Sequence, residues 1–382
     1  MLHITNVTIH TPDRIVERGS VVVDGARIVA VGQADDTPAA AGARRIDAGG
    51  RILAPGFIDL QLNGAFGDDF TADPETIWQV AAGLPRYGVT AFLPTIITSP
   101  LAQVEAGLRI VAGGRPKDFR GAAPLGIHAE GPFLNPGKKG AHNERHLRPP
   151  SAADVAGWSS ASGMRLVTMA PELPGALDVI RVLTSRGVVV STGHSMATYD
   201  EAVAGFDAGA RYGTHLFNAM PALGHRDPGL PGALLADQRM TVGFIADGIH
   251  THRSIIAVVW RALGPKRMSL VTDAMAALGM PPGTHRLGDY DVIVDATSAR
   301  LADGTLAGSI LELDQALRNL IEITGCSLSE ALETMTSTPA RLLGLDHERG
   351  RIAPGYVADL VLLSRDLRVE TTIAAGEIVY GA

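Results

Sequence analysis

The middle of the chain alternates between short apolar runs and helix-like stretches. Between residues 55 and 350, eight apolar runs recur, and each ends in polar or glycine-rich sequence. Nearly continuous apolar strands separated by helices are typical of a parallel sheet covered on both faces, and eight such units predict a closed (β/α)8 barrel of the α/β class. The runs lie in the segments GFIDLQLNG, VTAFLPTIIT, APLGIHAEG, RLVTMAPE, GVVVSTGHS, YGTHLFNAM, MTVGFIADGIH and MSLVTDAM.

Two of the connecting helices carry start signals. Asp73 and Pro74 precede the segment ETIWQVAAGL, and proline is favoured at the first position of a helix. Thr198 and Glu201 have the spacing of a capping box. Both signals predict helices between the predicted strands.

The two ends of the chain have a different pattern. Residues 1–54 contain short β-type runs with turn signals at Asp24–Gly25 and Gly49–Gly50, and the last part of the chain has the same character. The simplest arrangement pairs both ends in one sheet domain. We therefore expect a small β domain of residues 1–54 and 350–382, and a barrel domain of residues 55–349.

Composition narrows the class of partner. The chain of 382 residues has 33 Lys and Arg against 40 Asp and Glu, a formal charge of −7, which argues against nucleic acid and favours a small metabolite. Cys326 is the one cysteine, so no internal disulfide can form. The N-terminus alternates like a strand, and no apolar stretch approaches the roughly 18 residues of a membrane span. We expect a cytoplasmic protein with no membrane partner.

Histidine and acidic residues cluster where the predicted strands end. Such side chains are costly in a packed barrel unless they face a site. Strand ends meet at one rim of a barrel, and two histidines with one carboxylate are a common ligand set for catalytic zinc. Each residue alone could be a hydrogen-bonded structural group, but together they predict a metal site. They are His128, Glu130, His194, His215, Asp247, His250 and Asp273.

Asp273 ends the last predicted strand and is the candidate proton acceptor. A divalent ion in such a site activates a water and polarises a substrate carbonyl, and hydrolysis also needs a base close to that water. The Asp273 carboxylate could take the proton and deliver it to a leaving nitrogen. The alternative role for this residue is a helix N-cap after the eighth strand.

Several motifs together resemble a known family. The segments APGFIDLQ, HAEGPF, TGHS, THLFNAM, DGIH, TDAM, LAGS and GRIAPGYVAD are similar to the amidohydrolase superfamily and, within it, to the N-acetylglucosamine-6-phosphate deacetylases. The likeness covers essentially the whole chain, and HAEGPF with THLFNAM is specific to the deacetylase branch. It implies a distorted (β/α)8 TIM-like barrel with a small β-sandwich made by both termini.

The resemblance also implies roles for single residues. Glu130, His194 and His215 would bind one divalent ion per subunit, with Zn²⁺ as the first choice and Fe²⁺ or another divalent ion also compatible. Asp273 would be the general acid and base. Arg226 would reach the site from the partner subunit of a homodimer. The residues implied to contact a phosphorylated N-acetyl amino sugar are Gln61, Asn63, Ala141, His142, Asn218, Ala219, Arg226, His250, Leu306, Ala307 and Gly308.

Gln61 and Asn63 depart from the wider superfamily. Many amidohydrolases carry His-x-His at the end of the first barrel strand, where both imidazoles bind one metal of a two-metal site. Here the two positions hold amides that share one face of the strand, and amides are poor zinc ligands. We expect one metal, with the amides orienting water or substrate; the alternative is that they satisfy backbone groups. His128 would be a structural neighbour.

The implied reaction is hydrolysis of the acetamido group of N-acetylglucosamine 6-phosphate to glucosamine 6-phosphate and acetate, within amino-sugar catabolism or cell-wall sugar recycling. An amidohydrolase acting on a cyclic amide or a nucleobase-like ring is the alternative. The missing His-x-His, and the lack of a strand-end lysine suited to carboxylation, stand against that alternative. A non-catalytic barrel is a third possibility, opposed by the full set of ligands and Asp273.

Overall fold

Strands and helices alternate through the middle of the chain. The computed structural model describes residues 1–11, 14–33, 37 and 42–381. The strands are β1 Leu2–His10, β2 Ile15–Asp24, β3 Arg27–Gln33, β4 Arg44–Pro55, β5 Phe57–Leu62, β6 Gly64–Ala65, β7 Asp68–Asp69, β8 Val89–Ile97, β9 Ala123–Pro124, β10 Ile127–Glu130, β11 Met164–Met169, β12 Val189–Thr192, β13 Tyr212–Gly213, β14 Thr241–Phe244, β15 Met268–Leu270, β16 Gly283–Leu287, β17 Tyr290–Val294, β18 Ala299–Arg300, β19 Leu360–Leu363, β20 Val369–Ala374 and β21 Glu377–Tyr380. The helices are α1 Ile77–Gly83, α2 Leu101–Ala112, α3 Ala176–Ser185, α4 Tyr199–Ala208, α5 Gly229–Ala236, α6 Arg253–Arg267, α7 Leu313–Thr324, α8 Leu328–Glu333 and α9 Ser337–Leu342.

Eight parallel strands, β5, β8 and β10 to β15, form a nearly closed barrel in chain order. Every residue of β5 and β8 is buried, because helices cover the outside and side chains fill the inside. Each of the eight strands falls in one of the eight apolar runs, except that β11 begins one residue earlier, at Met164. The predicted (β/α)8 barrel is therefore confirmed.

The barrel closes between the end of its first strand and the segment that follows its last strand. Asp273 N–H donates to the Gln61 carbonyl at 2.9 Å, and Asn63 N–H donates to the carbonyl of the residue after Asp273 at 2.7 Å. Nearby, the buried Asp59 carboxyl and the Thr272 hydroxyl form a hydrogen bond of 2.6 Å. Burial raises the pKa of Asp59 to about 7. This closure places the two predicted amides beside the predicted catalytic aspartate.

Strands from both ends of the chain form a second, seven-stranded sheet. Its order is β21-β20-β19-β4-β1-β2-β3, so the C-terminal strands join the N-terminal ones where β19 pairs with β4. Its apolar core draws on both ends of the chain, for example through Ile4, Val21 and Leu360. The expected association of the two termini is confirmed.

The two predicted turns in the N-terminal segment have different outcomes. Asp24–Gly25 begins the tight connection between β2 and β3, as predicted. Gly49–Gly50 lies inside β4, where the pairing with β1 skips from Asp47 to Arg51. The two glycines have φ of +57° and +78°, which suits a β-bulge as well as a turn. The turn predicted at Gly49–Gly50 is wrong.

Both helix start signals are confirmed. The Asp73 carboxylate accepts a hydrogen bond from the Glu75 N–H at 3.1 Å and caps a short 3-10 turn, Pro74–Thr76, ahead of α1. Thr198 and Glu201 form a complete capping box at the start of α4. In the part of the chain that the structure describes, no helix has the length and apolar character that a membrane crossing requires.

Candidate metal centre and active site

Glu130, His194 and His215 bring three ligand atoms together at the barrel mouth. Glu130 ends β10, and the histidines lie just beyond β12 and β13. Glu130 Oε1 is 3.2 Å from His194 Nε2 and 3.1 Å from His215 Nε2, and the two nitrogens are 3.1 Å apart. Ligands that share one tetrahedral zinc ion lie about 3.3–3.6 Å from each other. The three buried groups could therefore hold one divalent ion if their ligand atoms moved slightly apart.

The far nitrogen of His194 has a backbone partner. His194 Nδ1 donates to the Lys138 carbonyl at 2.8 Å, which leaves the lone pair of Nε2 facing Glu130 and His215. Metal-binding histidines commonly donate their second N–H in this way, and the bond sets both tautomer and ring orientation. The Lys138 carbonyl thus keeps the proton of His194 on Nδ1 and leaves Nε2 available, as a metal ligand would require.

Two of the candidate metal ligands, and Asp273 beside them, have backbone conformations that are unfavourable for a non-glycine residue. The φ angles are +48° at His194, +28° at His215 and +50° at Asp273. Such conformations cost about 1–3 kcal/mol each and persist where the surroundings enforce them, which concentrates them at functional sites. The strand ends are therefore held in shapes that local backbone preference opposes.

Asp273 lies next to the three ligand residues and is held by the two amides. Asn63 Nδ2 donates to Asp273 Oδ1 at 2.8 Å, and Gln61 Nε2 donates to the same oxygen at 3.1 Å. Gln61 Nε2 is also 3.1 Å from Glu130 Oε1, so one amide nitrogen bridges two carboxyl groups. The structure thus turns both amide nitrogens toward carboxyl oxygens. The orienting of water or substrate by Gln61 and Asn63 stays a prediction.

The two bridged carboxyl groups have opposite electrostatic environments. Burial raises the pKa of Asp273, and the nearby charge of Glu130 raises it further. Burial also disfavours the charge on Glu130, but the closely placed rings of His194 and His215 outweigh it and hold the pKa of Glu130 well below its usual range. When two neighbouring carboxyl groups have pKa values shifted apart in this way, the one with the low pKa can stay charged while the one with the high pKa exchanges protons.

His142 directs a ring N–H group toward Glu130. Its Nδ1 accepts a hydrogen bond from the Thr98 N–H at 3.2 Å, so the ring proton is on Nε2, which lies 3.9 Å from Glu130 Oε2. Burial, with the charge of neighbouring His194, lowers the pKa of His142 to about 3. A neutral imidazole in this position can donate a hydrogen bond to a substrate oxygen.

A cavity of about 480 Å³ opens above the ligand residues. Gln61 is buried beneath the cavity, where it holds Asp273. Ala307 is buried as well, and its N–H donates to the Ala299 carbonyl at 3.0 Å. The cavity gathers most of the predicted site residues. Those that line it are Asn63, Glu130, Ala141, His142, His194, His215, Asn218, Ala219, His250, Asp273, Leu306 and Gly308.

Of the residues predicted to bind the phosphate or the sugar, His250 lies at the cavity and Arg226 does not. His250 Nδ1 donates to Asp247 Oδ2 at 2.6 Å, which fixes the ring at the edge of the cavity. Arg226 is exposed and lines a separate surface pocket with Pro221 and Met196. A single chain therefore does not bring Arg226 to the cavity, and its contribution by a partner subunit stays a prediction.

The model of the Amidohydrolase family matches residues 52–379. The N-acetylglucosamine-6-phosphate deacetylase of Bos taurus is 44% identical over 351 residues, which cover 87% of this chain and 85% of the relative. The N-acetylgalactosamine-6-phosphate deacetylase of Escherichia coli is 38% identical over 330 residues, 86% of this chain and 87% of the relative. The crystal structure of N-acetylglucosamine-6-phosphate deacetylase from Pasteurella multocida matches with a TM-score of 0.93 and 32% identity, over 99% of each chain. The chain belongs to the amidohydrolase family and, within it, to the N-acetylglucosamine-6-phosphate deacetylases.

The cavity of this amidohydrolase also contains residues that sequence reasoning missed. Leu287 comes from the antiparallel sheet β16-β17-β18, and Asp303 and Thr305 follow that sheet. The signal for the sheet was Gly288–Asp289, a two-residue turn between β-type runs. Lys138 and Lys139 also line the cavity. No pattern in the sequence indicated that these residues share one cavity.

Proposed function

We propose that this amidohydrolase removes the acetyl group from N-acetylglucosamine 6-phosphate, giving glucosamine 6-phosphate and acetate. The observation that carries the proposal is the bridge from Asp273 through Gln61 to Glu130, which puts a proton-exchanging carboxyl beside a site for one metal ion. The cavity of about 480 Å³ is within the range usual for small-molecule sites. The named activity of the relatives supports the choice of substrate.

The ligands proposed for the ion are Glu130, His194 and His215, whose donor set fits Zn²⁺ first and also Fe²⁺ or another divalent ion. When bound, the ion would activate a water and polarise the acetyl carbonyl. We propose a single ion per subunit, because Gln61 and Asn63 stand where a second ion would need imidazoles and both donate to Asp273.

Asp273 is proposed to act first as the general base and then as the general acid. Its carboxylate accepts a proton from the attacking water and then donates it to the amine nitrogen as the carbon–nitrogen bond breaks. An amide nitrogen leaves poorly unless it is protonated, and a buried carboxyl with a raised pKa is suited to deliver that proton. His142 Nε2–H is proposed to donate to the carbonyl oxygen as negative charge develops there.

The phosphate end of the substrate is proposed to meet Asn218, Ala219 and His250 at the cavity edge. Arg226 is proposed to complete this end from the partner subunit of a homodimer, since it is exposed and lies outside the cavity of its own chain. The backbone of Leu306 and Gly308, which line the cavity on either side of the buried Ala307, is proposed to contact the sugar. We propose a cytoplasmic location, because the sequence has a single cysteine and therefore no internal disulfide.

Release of free amine from N-acetylglucosamine 6-phosphate tests the proposal. Purified protein is assayed as prepared, after chelation, and after return of Zn²⁺. Unphosphorylated N-acetylglucosamine tests the phosphate contact, and N-acetylgalactosamine 6-phosphate tests the activity named for the Escherichia coli relative. We expect metal-dependent turnover of the phosphorylated glucosamine derivative and little turnover of the unphosphorylated sugar. Metal-loaded protein without turnover of N-acetylglucosamine 6-phosphate refutes the proposal and leaves a cyclic-amide substrate as the alternative.

A further inference from the structure

Glu172 is not among the residues that line the cavity, yet it joins three loops at the barrel mouth. It follows β11, and its carboxylate accepts hydrogen bonds from Asn135 Nδ2 at 3.0 Å, the Met196 N–H at 2.6 Å and the Ser195 hydroxyl at 2.8 Å. Asn135 belongs to the loop after β10, and the other two donors belong to the loop after β12. One partly buried carboxylate therefore ties neighbouring strand-end loops together.

A chain of hydrogen bonds leads from Glu172 through Asn135 to His194. The Asn135 side-chain oxygen accepts from the Gly137 N–H at 2.9 Å and caps the turn Pro136–Lys138. The carbonyl at the end of that turn accepts from His194 Nδ1 at 2.8 Å. The Asn135 N–H donates to the His194 carbonyl at 2.9 Å. The direction of the carbonyl that selects the His194 tautomer thus depends on the Asn135 side chain.

Glu172 also holds Ser195 and Met196, the two residues that follow His194 in the chain. Ser195 and Met196 donate to Glu172, and the φ of +48° at His194 requires its neighbours to prevent relaxation of the backbone. We propose that Glu172 is a positioning residue that holds His194 in metal-binding geometry from both sides. The inference deepens the proposed function, because it takes the group of Glu130, His194 and His215 as the metal site.

Glu172→Leu tests the role because it keeps a side chain of similar size and removes both acceptor oxygens. The Asn135 NH₂ group and the Met196 N–H donate to Oε1 and the Ser195 hydroxyl donates to Oε2, so the variant loses all three hydrogen bonds. Loss of an outer contact to a metal ligand typically costs 10- to 100-fold in metal affinity. The Kd for Zn²⁺, measured by competition with a chromogenic chelator, should rise by about that factor. At saturating Zn²⁺, kcat should recover most of its wild-type value.

Glu105→Leu, a change at an exposed carboxylate on α2, is the matched control and should leave the Zn²⁺ Kd unchanged. Asn135→Ala removes the link to the turn and should also raise the Kd, and its effect should not add fully to that of Glu172→Leu. An unchanged Kd in folded Glu172→Leu protein, judged by its thermal midpoint, overturns the proposal. If that variant does not fold, an unchanged Kd in Asn135→Ala overturns it. The titration needs no substrate, so failed deacetylation would refute the proposed function alone.

Discussion

Asp273→Asn separates proton transfer from the geometry of the site. An asparagine that turns its Oδ1 toward Asn63 and Gln61 keeps both amide hydrogen bonds, of 2.8 and 3.1 Å, and replaces only the other oxygen. The three proposed metal ligands are unchanged, so the metal should stay bound. The variant loses the group that accepts and returns the proton, and general acid–base catalysis of this kind contributes about 10²- to 10⁴-fold. We expect kcat to fall by that factor, which is about 3–5 kcal/mol in activation free energy.

The assay is amine release at saturating N-acetylglucosamine 6-phosphate and Zn²⁺, with metal content and thermal midpoint measured on the same preparation. Asp178→Asn is the control, since Asp178 is exposed and pairs only at the surface with Arg181. Its kcat should match the wild type. A fall of less than about tenfold for metal-loaded Asp273→Asn would refute the assignment of Asp273 as the acid and base.

Three further predictions address the carbonyl, the phosphate and the barrel closure. His142→Ala should lower kcat by about 10²- to 10³-fold through loss of its Nε2–H donor, and steady-state kinetics showing less than about a tenfold loss would contradict that role. Arg226→Ala should raise KM for the phosphorylated sugar, and an unchanged KM would remove the contact. Asp59 has a pKa of about 7 in the folded chain against an ordinary 3.8, so the folded carboxyl keeps its proton in this range while the unfolded one loses it. The free energy of unfolding should therefore fall by up to about 4 kcal/mol as pH rises from about 4 to about 7. Asp59→Asn should remove that slope in urea unfolding, and equal slopes in both proteins would argue against the raised pKa.

Local signals were sufficient for the barrel strands but not for every irregularity. Buried parallel strands read as continuous apolar runs, and the capping box at Thr198 has fixed spacing, so both were predictable. Gly49–Gly50 was misread because positive φ serves a bulge and a turn equally, and only pairing with β1 distinguishes them. The domain boundaries at residues 54 and 350 stay predictions.

The chemistry of the candidate site was more predictable than its hydrogen bonding. The positions of Glu130, His194 and His215 at strand ends were enough to predict their convergence. That Gln61 and Asn63 donate to Asp273 depends on barrel closure between segments far apart in sequence, which no local pattern encodes. Glu172 was missed for the same reason, since its partners come from two other loops.

The closure of the barrel also divides the candidate site into two parts. Glu130, His194 and His215 lie at or just beyond the ends of β10, β12 and β13, which belong to one unbroken run of parallel strands in the middle of the chain. Asp273 meets Gln61 only across a separation of 212 residues, after the last strand has docked against the first. The proposed metal ligands therefore belong to one run of the sheet, whereas the proposed proton carrier reaches them only through the closure of the barrel.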